Sequence, residues 1–256
     1  MDTNFKVWAL ADLHLAFSVP EKNMAVFGEI WHNYTDKIEK HWREKVKPQD
    51  LVLIAGDITW AMKIDDAKID LEWIDALPGT KLLIRGNHDY WWSSLNKVKA
   101  ILPPSIHIIQ NNIFNWQEIA IAGTRLWDTN EFSFHEWIDY KETSAVSSAP
   151  KQKDVEKDRK IFNRELNRLE ISLQQIPIEA KLKIAMLHYP PIGPDLKESK
   201  VSQLLEKYNI DICIFGHLHS LKPHLGPLFG DLNGIKYHLT ACDYLNFIPL
   251  LVYESL

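Results

Sequence analysis

The chain has 256 residues, of which 46% are hydrophobic and 25% charged, so it is long enough to bury one large core. Its net charge of −5 disfavours a dominant nucleic-acid-binding surface, although it does not exclude a phosphate substrate. Two cysteines are too few for a disulfide scaffold and favour a reducing compartment. No basic segment precedes the first apolar run, as a secretion signal would require, and Asp12 and His14 interrupt that run. No stretch has the length of a membrane span, and no linker divides the sequence. We therefore expect one cytoplasmic domain over residues 1–256.

Five near-continuous apolar runs have the length of β-strands that are covered on both faces. Helical patterns lie between several of these runs, which predicts an α/β fold with layers of helix and sheet. The runs span residues 5–11, 51–55, 81–85, 183–187 and 210–215.

Four segments have the three-four apolar spacing of amphipathic helices. They span Ile30 to Val46, Asp65 to Leu77 with Ile69 and Trp73 on the apolar stripe, Ser94 to Leu102, and Gln152 to Ile176. The stretch from Trp127 to Pro150 has no periodicity, and it forms an irregular insert that continues into the fourth helix, together about residues 127–177. Its small-residue part, residues 143–150, is the candidate for a mobile loop or lid.

A short polar cluster follows each of the five apolar runs. Taken alone, each cluster is compatible with an ordinary turn. All five lie at the carboxyl ends of predicted strands, however, where sites form in α/β sheets, and their carboxylates, amide and imidazoles suit two borderline divalent cations. The set therefore predicts a dinuclear metal site and a metal-dependent hydrolase. The clusters are Asp12-Leu13-His14, Gly56-Asp57, Gly86-Asn87-His88-Asp89, His188 and Gly216-His217-Leu218-His219.

The order of these motifs, D-x-H, GD, GNHD, a lone His and GHxH, resembles the calcineurin-like metallophosphoesterase superfamily. The match runs from Asp12 to His219, and it implies a fold of two mixed β-sheets packed face to face with helices outside. The resemblance also implies the ligand sets. One metal would be held by Asp12, His14, Asp57 and His219, and the other by Asp57, Asn87, His188 and His217, with Asp57 bridging.

The expected cofactors are two divalent ions, Mn, Fe or Zn. Metal coordination lowers the pKa of water toward 7, so a hydroxide bridging the two metals is the expected nucleophile for in-line attack on phosphorus. We expect His88 and Asn87 to contact the phosphate, and His88 to protonate the leaving group while Asp89 orients it. A helix N-cap is the alternative role for Asp89.

Arg125, after the apolar run 119–123, would clamp a phosphate with both guanidinium nitrogens, and a structural salt bridge is the alternative. Tryptophans near the motifs would form a wall that stacks on a base, with core packing as the alternative for most of them. They are Trp60, Trp91, Trp92 and Trp127. Four histidines without a partner signal are interpreted as surface or structural residues: His32, His41, His107 and His135.

The leading functional hypothesis is hydrolysis of a phosphomonoester or phosphodiester of a small molecule, with nucleotides among the candidates. Trp60 stands where many relatives carry an acid or asparagine, and the arginine-bearing extension of the serine/threonine protein phosphatases is absent, which disfavours a protein phosphatase. The alternatives are a nuclease, a nucleotide-lipid pyrophosphatase that resembles the UDP-diacylglucosamine hydrolases, and a non-catalytic protein-binding scaffold. No motif indicates an oligomeric state.

Overall fold

The computed structural model describes residues 4–139, 155–222 and 228–255. One sheet has five strands in the order β11-β1-β2-β3-β4. Strands β1 to β4 are parallel to their neighbours, and β11 runs antiparallel to β1 at the edge. The strands are β1 Lys6–Leu10, β2 Leu51–Ile54, β3 Thr80–Leu83, β4 Ile106–Ile108 and β11 Leu250–Glu254.

The other sheet has six strands in the order β5-β6-β7-β8-β10-β9. Its four inner strands are parallel, and the two edge strands, β5 and β9, are antiparallel to their neighbours. The strands are β5 Ile113–Trp116, β6 Ile119–Thr124, β7 Leu182–Leu187, β8 Ile212–Phe215, β9 Asp231–Leu232 and β10 Ile235–Leu239.

Within the described residues, five α-helices lie outside the two sheets, three against the first sheet and two against the second. In α1, Ile38 and Trp42 are buried against the five-stranded sheet, and in α4 Phe162 and Leu169 are buried against the six-stranded one. The helices are α1 Tyr34–Lys45, α2 Ile64–Asp75, α3 Leu95–Ile101, α4 Val155–Leu173 and α5 Lys200–Lys207.

The inner faces of the two sheets share a core of aliphatic side chains. Leu53 and Leu82 of one sheet belong to the same buried cluster as Ile121 and Ile184 of the other. Successive strand residues point to opposite faces, so the neighbours of these residues pack outward against the helices. This is the predicted sandwich of two mixed β-sheets flanked by helices.

The register of the parallel strands sets the level at which they end. Leu10 is paired with Ile54, and Ile54 with Leu83, so β1, β2 and β3 stop side by side. In the second sheet, Thr124 is paired with Leu187 in the same way. The polar clusters that follow these strands are therefore brought to one end of the sandwich.

Two helix predictions need correction. The first helix begins at Tyr34 and not at Ile30, because Asn33 has a left-handed backbone with φ 53°, and Ile30 lies in an exposed 3₁₀ turn. In α2, Ile69 is 51% exposed, and the buried face is formed by Ala67, Asp70, Leu71 and Ile74.

The fourth predicted helix is present from Val155, whereas residues 152–154 and the proposed loop over 143–150 lie outside the described residues. Cys213 and Cys242 are buried free thiols. Within the described ranges, no helix combines the length and apolarity needed to cross a bilayer.

Candidate metal centre

Four of the predicted ligands have a left-handed backbone. The φ angle is 59° at Asp12, 45° at His14, 51° at Asp57 and 73° at His217. Such a conformation costs a residue other than glycine on the order of 1–3 kcal/mol and persists only where surrounding contacts enforce it. Here the amide of Asp12 donates to the carbonyl of Gly56 at 2.9 Å, and that of His14 to the carbonyl of Asp57 at 3.0 Å. The strained turns after β1 and β2 therefore support each other.

The motif glycines allow the ligand-bearing turns to approach closely. A Cβ atom on Gly86 would collide with the carboxylate and the amide nitrogen of Asp57, and one on Gly216 would collide with the carboxylate of Asp12. Gly56 has φ +92°, and a Cβ there would lie 2.6 Å from Nδ1 of His188. The glycines are thus needed for the ligands to meet.

The carboxylate of Asp57 lies between two groups of histidines. Its Oδ2 is 3.7 Å from Nε2 of His14, and its Oδ1 is 3.4 Å from Nε2 of His188. Asp12 is close to both groups as well. It forms one set of possible ligands with His14 and His219 and another with Asp57 and His188, and within each set the ligand atoms lie within 4.8 Å of one another. Both carboxylates are buried.

The first half of the centre contains two imidazole nitrogens that face each other. Nε2 of His14 lies 3.3 Å from Nε2 of His219. Two nitrogens on one tetrahedral ion at about 2.1 Å would be roughly 3.4 Å apart, so this pair fits a shared cation. Nδ1 of His14 is buried, with no hydrogen-bond partner among the described residues.

The second half brings together an amide and two imidazoles. Oδ1 of Asn87 lies 2.7 Å from Nε2 of His188 and 2.9 Å from Nδ1 of His217. The other nitrogen of the His188 ring, Nδ1, is 2.9 Å from the carbonyl of Ala55, which fixes the ring with Nε2 toward Asn87 and Asp57. All seven predicted ligand residues therefore meet at one end of the sandwich.

Burial and mutual charge shift the pKa values in this cluster in opposite directions. Burial raises the pKa of Asp12 to about 7, even though His219 and His188 oppose the shift. Burial disfavours the charged form of His188 too, but Asp57 outweighs it and raises this pKa to about 9. For Asp57, burial is outweighed by His188 and His14, and its pKa lies well below the ordinary value. Burial lowers the pKa of His14 to about 3.

Asp243 is a site residue that the sequence analysis missed. Its Oδ1 lies 2.8 Å from Nδ1 of His219, and its Oδ2 accepts the amide of Ser220 at 2.8 Å. Burial lowers the pKa of His219, but Asp243 outweighs it and the pKa rises to about 9. A carboxylate on the far nitrogen of a metal-binding imidazole fixes the ring and its tautomer. The one indication in the sequence is that Asp243 follows β10 by a few residues, as the other site acids follow their strands. No histidine stands beside it to mark it as part of a motif.

Replacing Asp243 by asparagine is expected to reduce the protons released on Zn²⁺ binding at pH 8 by roughly one per chain. In the native chain His219 is protonated at this pH and must lose its proton to bind a metal. Without the Asp243 charge, the burial that lowers this pKa is opposed only by the weaker effects of Asp12 and Asp57, so we expect the imidazole of the variant to be largely neutral at pH 8. Calorimetry in buffers of different ionisation enthalpy measures the release, and Asp231→Asn at an exposed position is the control. If the native chain and both variants released the same number of protons, Asp243 would not control the protonation of His219.

His88 lies beside the cluster. Its amide donates to Oδ1 of Asp57 at 2.8 Å, and its ring centroid is 5.7 Å from that of His14. The Trp60 ring stacks on His14 at 4.9 Å and lies 4.6 Å from His88, so this tryptophan forms a wall of the site. Trp91 and Trp92 are buried in the core instead.

The hydrogen bonds described for the Asp89 carboxylate are with neighbouring turns and not with the His88 ring. Its carboxylate accepts the amides of Ile58 at 2.9 Å and Gly86 at 2.7 Å, and the indole nitrogen of Trp91 at 3.0 Å. Nδ1 of His88 has no partner among the described residues, so Asp89 does not orient that ring through it. The following residues form a turn, and α3 begins only at Leu95, so a helix N-cap does not describe Asp89 either. Asp89 ties the GD and GNHD turns together.

Arg125 forms a salt bridge with Glu165, which is the alternative role expected for it. Its Nη2 lies 3.7 Å from Oε1 of Glu165, and the guanidinium carbon is 4.7 Å from the centroid of the Trp127 ring. The carbonyl of Arg125 accepts the amides of His188 at 3.3 Å and Tyr189 at 3.0 Å. The residue is therefore adjacent to the centre, while its contact with a phosphate stays a prediction.

Several solved structures have the same fold. The phosphopantetheinyl hydrolase PptH from Mycobacterium tuberculosis is 13% identical, with 94% of this chain and 90% of that chain covered and a TM-score of 0.53. The calcineurin-like phosphoesterase YfkN from Bacillus subtilis is 17% identical, with 94% and 82% covered and a TM-score of 0.52. GAP50, the anchor in the inner membrane complex of Plasmodium, is 14% identical, with 94% and 72% covered and a TM-score of 0.51.

No curated protein matches the sequence. The sequence does match the family model for calcineurin-like phosphoesterases over residues 5–221, which is most of the chain and includes all seven predicted ligands. The chain therefore belongs to the calcineurin-like phosphoesterase family.

Proposed function

We propose that the chain hydrolyses a phosphomonoester or phosphodiester of a small molecule at a centre that holds two divalent ions. The observation that carries this proposal is the position of the Asp57 carboxylate, with one oxygen near His14 and the other near His188. A carboxylate in this position suits a bridging ligand. Asp12, His14 and His219 would complete one ion site, and Asn87, His188 and His217 the other.

The charge of the centre supports a phosphate substrate. Two divalent ions bring four positive charges, and Asp12 and Asp57 remove two of them if both are ionised. When bound, the ions would supply Lewis-acid stabilisation of the phosphoryl oxygens and lower the pKa of water. We assign Mn, Fe or Zn, because imidazoles make up most of the donor set.

His88 would contact a phosphate oxygen from the wall of the centre. Burial lowers the pKa of His88 below its ordinary value, so the imidazole is neutral at pH 7 and donates one hydrogen bond. Proton transfer to the leaving oxygen would follow only if the bound phosphate raised this pKa. Trp60 would limit the access of water to the same side.

Small phosphate esters are favoured over nucleic acid because the chain has a net charge of −5. A nucleotide is consistent with the aromatic wall at Trp60. The intact ligand set argues against a scaffold that lacks catalysis. The buried free thiols Cys213 and Cys242 support a reducing compartment, and we include a cytoplasmic location in the proposal.

The proposal is tested by Mn²⁺-dependent hydrolysis of p-nitrophenyl phosphate beside bis-p-nitrophenyl phosphate, with the metal content of the purified chain measured in parallel. We expect about two metals per chain and activity on one of the two esters well above an Asp57→Asn blank. Faster cleavage of the monoester points to phosphatase substrates, and faster cleavage of the diester to diesters such as cyclic nucleotides. A chain with well under one metal and no gain of activity with Mn²⁺ contradicts the proposal.

A further inference from the structure

A cavity of about 250 Å³ beside the metal centre is lined by four arginines. Arg85 follows β3, Arg125 follows β6, and Arg164 and Arg168 come from α4. Glu165 is the one acidic residue among the described residues of the lining, so four positive charges and one negative charge give these residues a formal charge of +3. We call this cavity, lined by the four arginines and Glu165, the arginine pocket.

Glu165 lies close to three of these arginines. Its carboxylate is buried, and Oε1 lies 2.7 Å from Arg168, 3.2 Å from Arg164 and 3.7 Å from Arg125. The other oxygen, Oε2, accepts the Thr124 hydroxyl at 3.1 Å. One carboxylate thus contacts three guanidinium groups but cannot neutralise them, which leaves an excess of positive charge.

Arg85 adds a buried donor without a partner. Its Nε is buried and has no hydrogen-bond partner among the described residues. A buried donor that stays unsatisfied is costly, so such a group is commonly paired with water or a ligand that is not part of the chain. Arg85 and Arg125 both line this cavity, so their positive charges repel each other. An anion in the pocket would relieve both the missing hydrogen bond and the repulsion.

The arginine pocket is adjacent to the metal centre but made of different side chains. Arg85 is two residues before Asn87, and the carbonyl of Arg125 accepts the amide of His188 at 3.3 Å. The volume is below the roughly 300–1,000 Å³ of pockets that hold a drug-sized molecule, so it suits a small anionic group.

We propose that the arginine pocket is a binding site for a phosphate-class dianion. A guanidinium group can donate two parallel hydrogen bonds to two oxygens of one phosphate. Four such groups around a half-enclosed cavity favour a ligand that has both the negative charge and the size of a phosphate. The occupant is either a second phosphate of the substrate, with the reacting phosphate at the metal centre, or free inorganic phosphate.

The binding test uses the full-length chain treated with EDTA, so that phosphate cannot bind through metals. Titration calorimetry with inorganic phosphate should give one site, weakened at least tenfold in Arg85→Ala and in Arg168→Ala. Arg159→Ala is the matched control, because Arg159 is an exposed arginine of α4 outside the pocket, and it should bind as the native chain does. Circular dichroism confirms that each variant is folded, and Arg85→Ala removes no described side-chain bond.

No phosphate binding to the metal-free native chain would overturn the proposal, as would equal binding by the native chain and both pocket variants. Since this titration involves neither metal nor turnover, its failure is distinct from failure of the proposed hydrolase function.

A kinetic comparison identifies the source of the anion and rests on the proposed function. The substrates are a nucleoside 3′,5′-bisphosphate and the corresponding 5′-monophosphate. A fall in kcat/KM of at least tenfold in Arg85→Ala, confined to the bisphosphate, supports a pocket occupied by the substrate. Equal effects on both substrates, together with the loss of phosphate binding, support a pocket occupied by free phosphate.

Discussion

Asp57→Asn is expected to reduce Mn²⁺-dependent phosphate ester hydrolysis at least roughly 10³-fold, and to lower the metal content of the purified chain below two ions. The oxygens of Asp57 face His14 on one side and His188 on the other, so the change affects both ion sites. An amide removes one negative charge and leaves only one oxygen acceptor. The measurements are steady-state kinetics and elemental analysis of the same preparation.

His88→Ala is the matched comparison for this variant. His88 lies against the same centre but is not among the expected ligands, so its loss should slow kcat about 10²-fold while metal occupancy stays nearly intact. Asp65→Asn, at an exposed position in α2, controls for the loss of a carboxylate. Equal metal loss from the Asp57 and His88 variants would contradict this division of roles.

Asp89→Ala is expected to lower the free energy of unfolding by at least about 3 kcal/mol. The Asp89 carboxylate is buried and accepts the amides of Ile58 and Gly86 and the indole of Trp91. Removing it leaves those three donors unpaired in the core, at about 1–3 kcal/mol each. Urea denaturation monitored by circular dichroism measures the loss.

Asp65→Ala serves as the control for Asp89→Ala and should lower the free energy of unfolding by less than about 1 kcal/mol, because this exposed carboxylate acts through its favourable charge in the first turn of α2. A loss below 1 kcal/mol in Asp89→Ala would refute the proposed structural role. If such a stable variant also shifted the pH profile of kcat, the result would support Asp89 as the group that orients His88.

The sequence was most informative where structure is determined locally. Buried parallel strands appear as continuous apolar runs, and the polar residues after them are brought together by sheet geometry alone. The family resemblance then supplied the arrangement of the two sheets, because strand order across a sandwich depends on pairings between distant residues. β11, for example, pairs with β1 although some 240 residues separate them.

Roles that depend on tertiary contacts were not visible in the sequence. Asp243 contacts His219, which lies 24 residues earlier in the chain. Glu165 contacts arginines of α4 and the arginine that follows β6. The role expected for Asp89 followed from its neighbour in sequence, His88, whereas its carboxylate bonds to turns that approach it in space. The start of α1 was missed because the left-handed Asn33 interrupts an otherwise helical pattern.

The origin of the ligands from both sheets has a consequence for how the molecule unfolds. Asp12, Asp57 and Asn87 follow strands of one sheet, whereas His188 and His217 follow strands of the other. His14 and His219 are separated by 205 residues, so bringing them together costs the chain the conformational entropy of closing a very large loop. Ions bound there would clamp the two halves of the sandwich, and global opening would have to break the clamp first. Metal loading would in this way lengthen the lifetime of the native state, and an ion-starved chain would be the form most exposed to proteolysis.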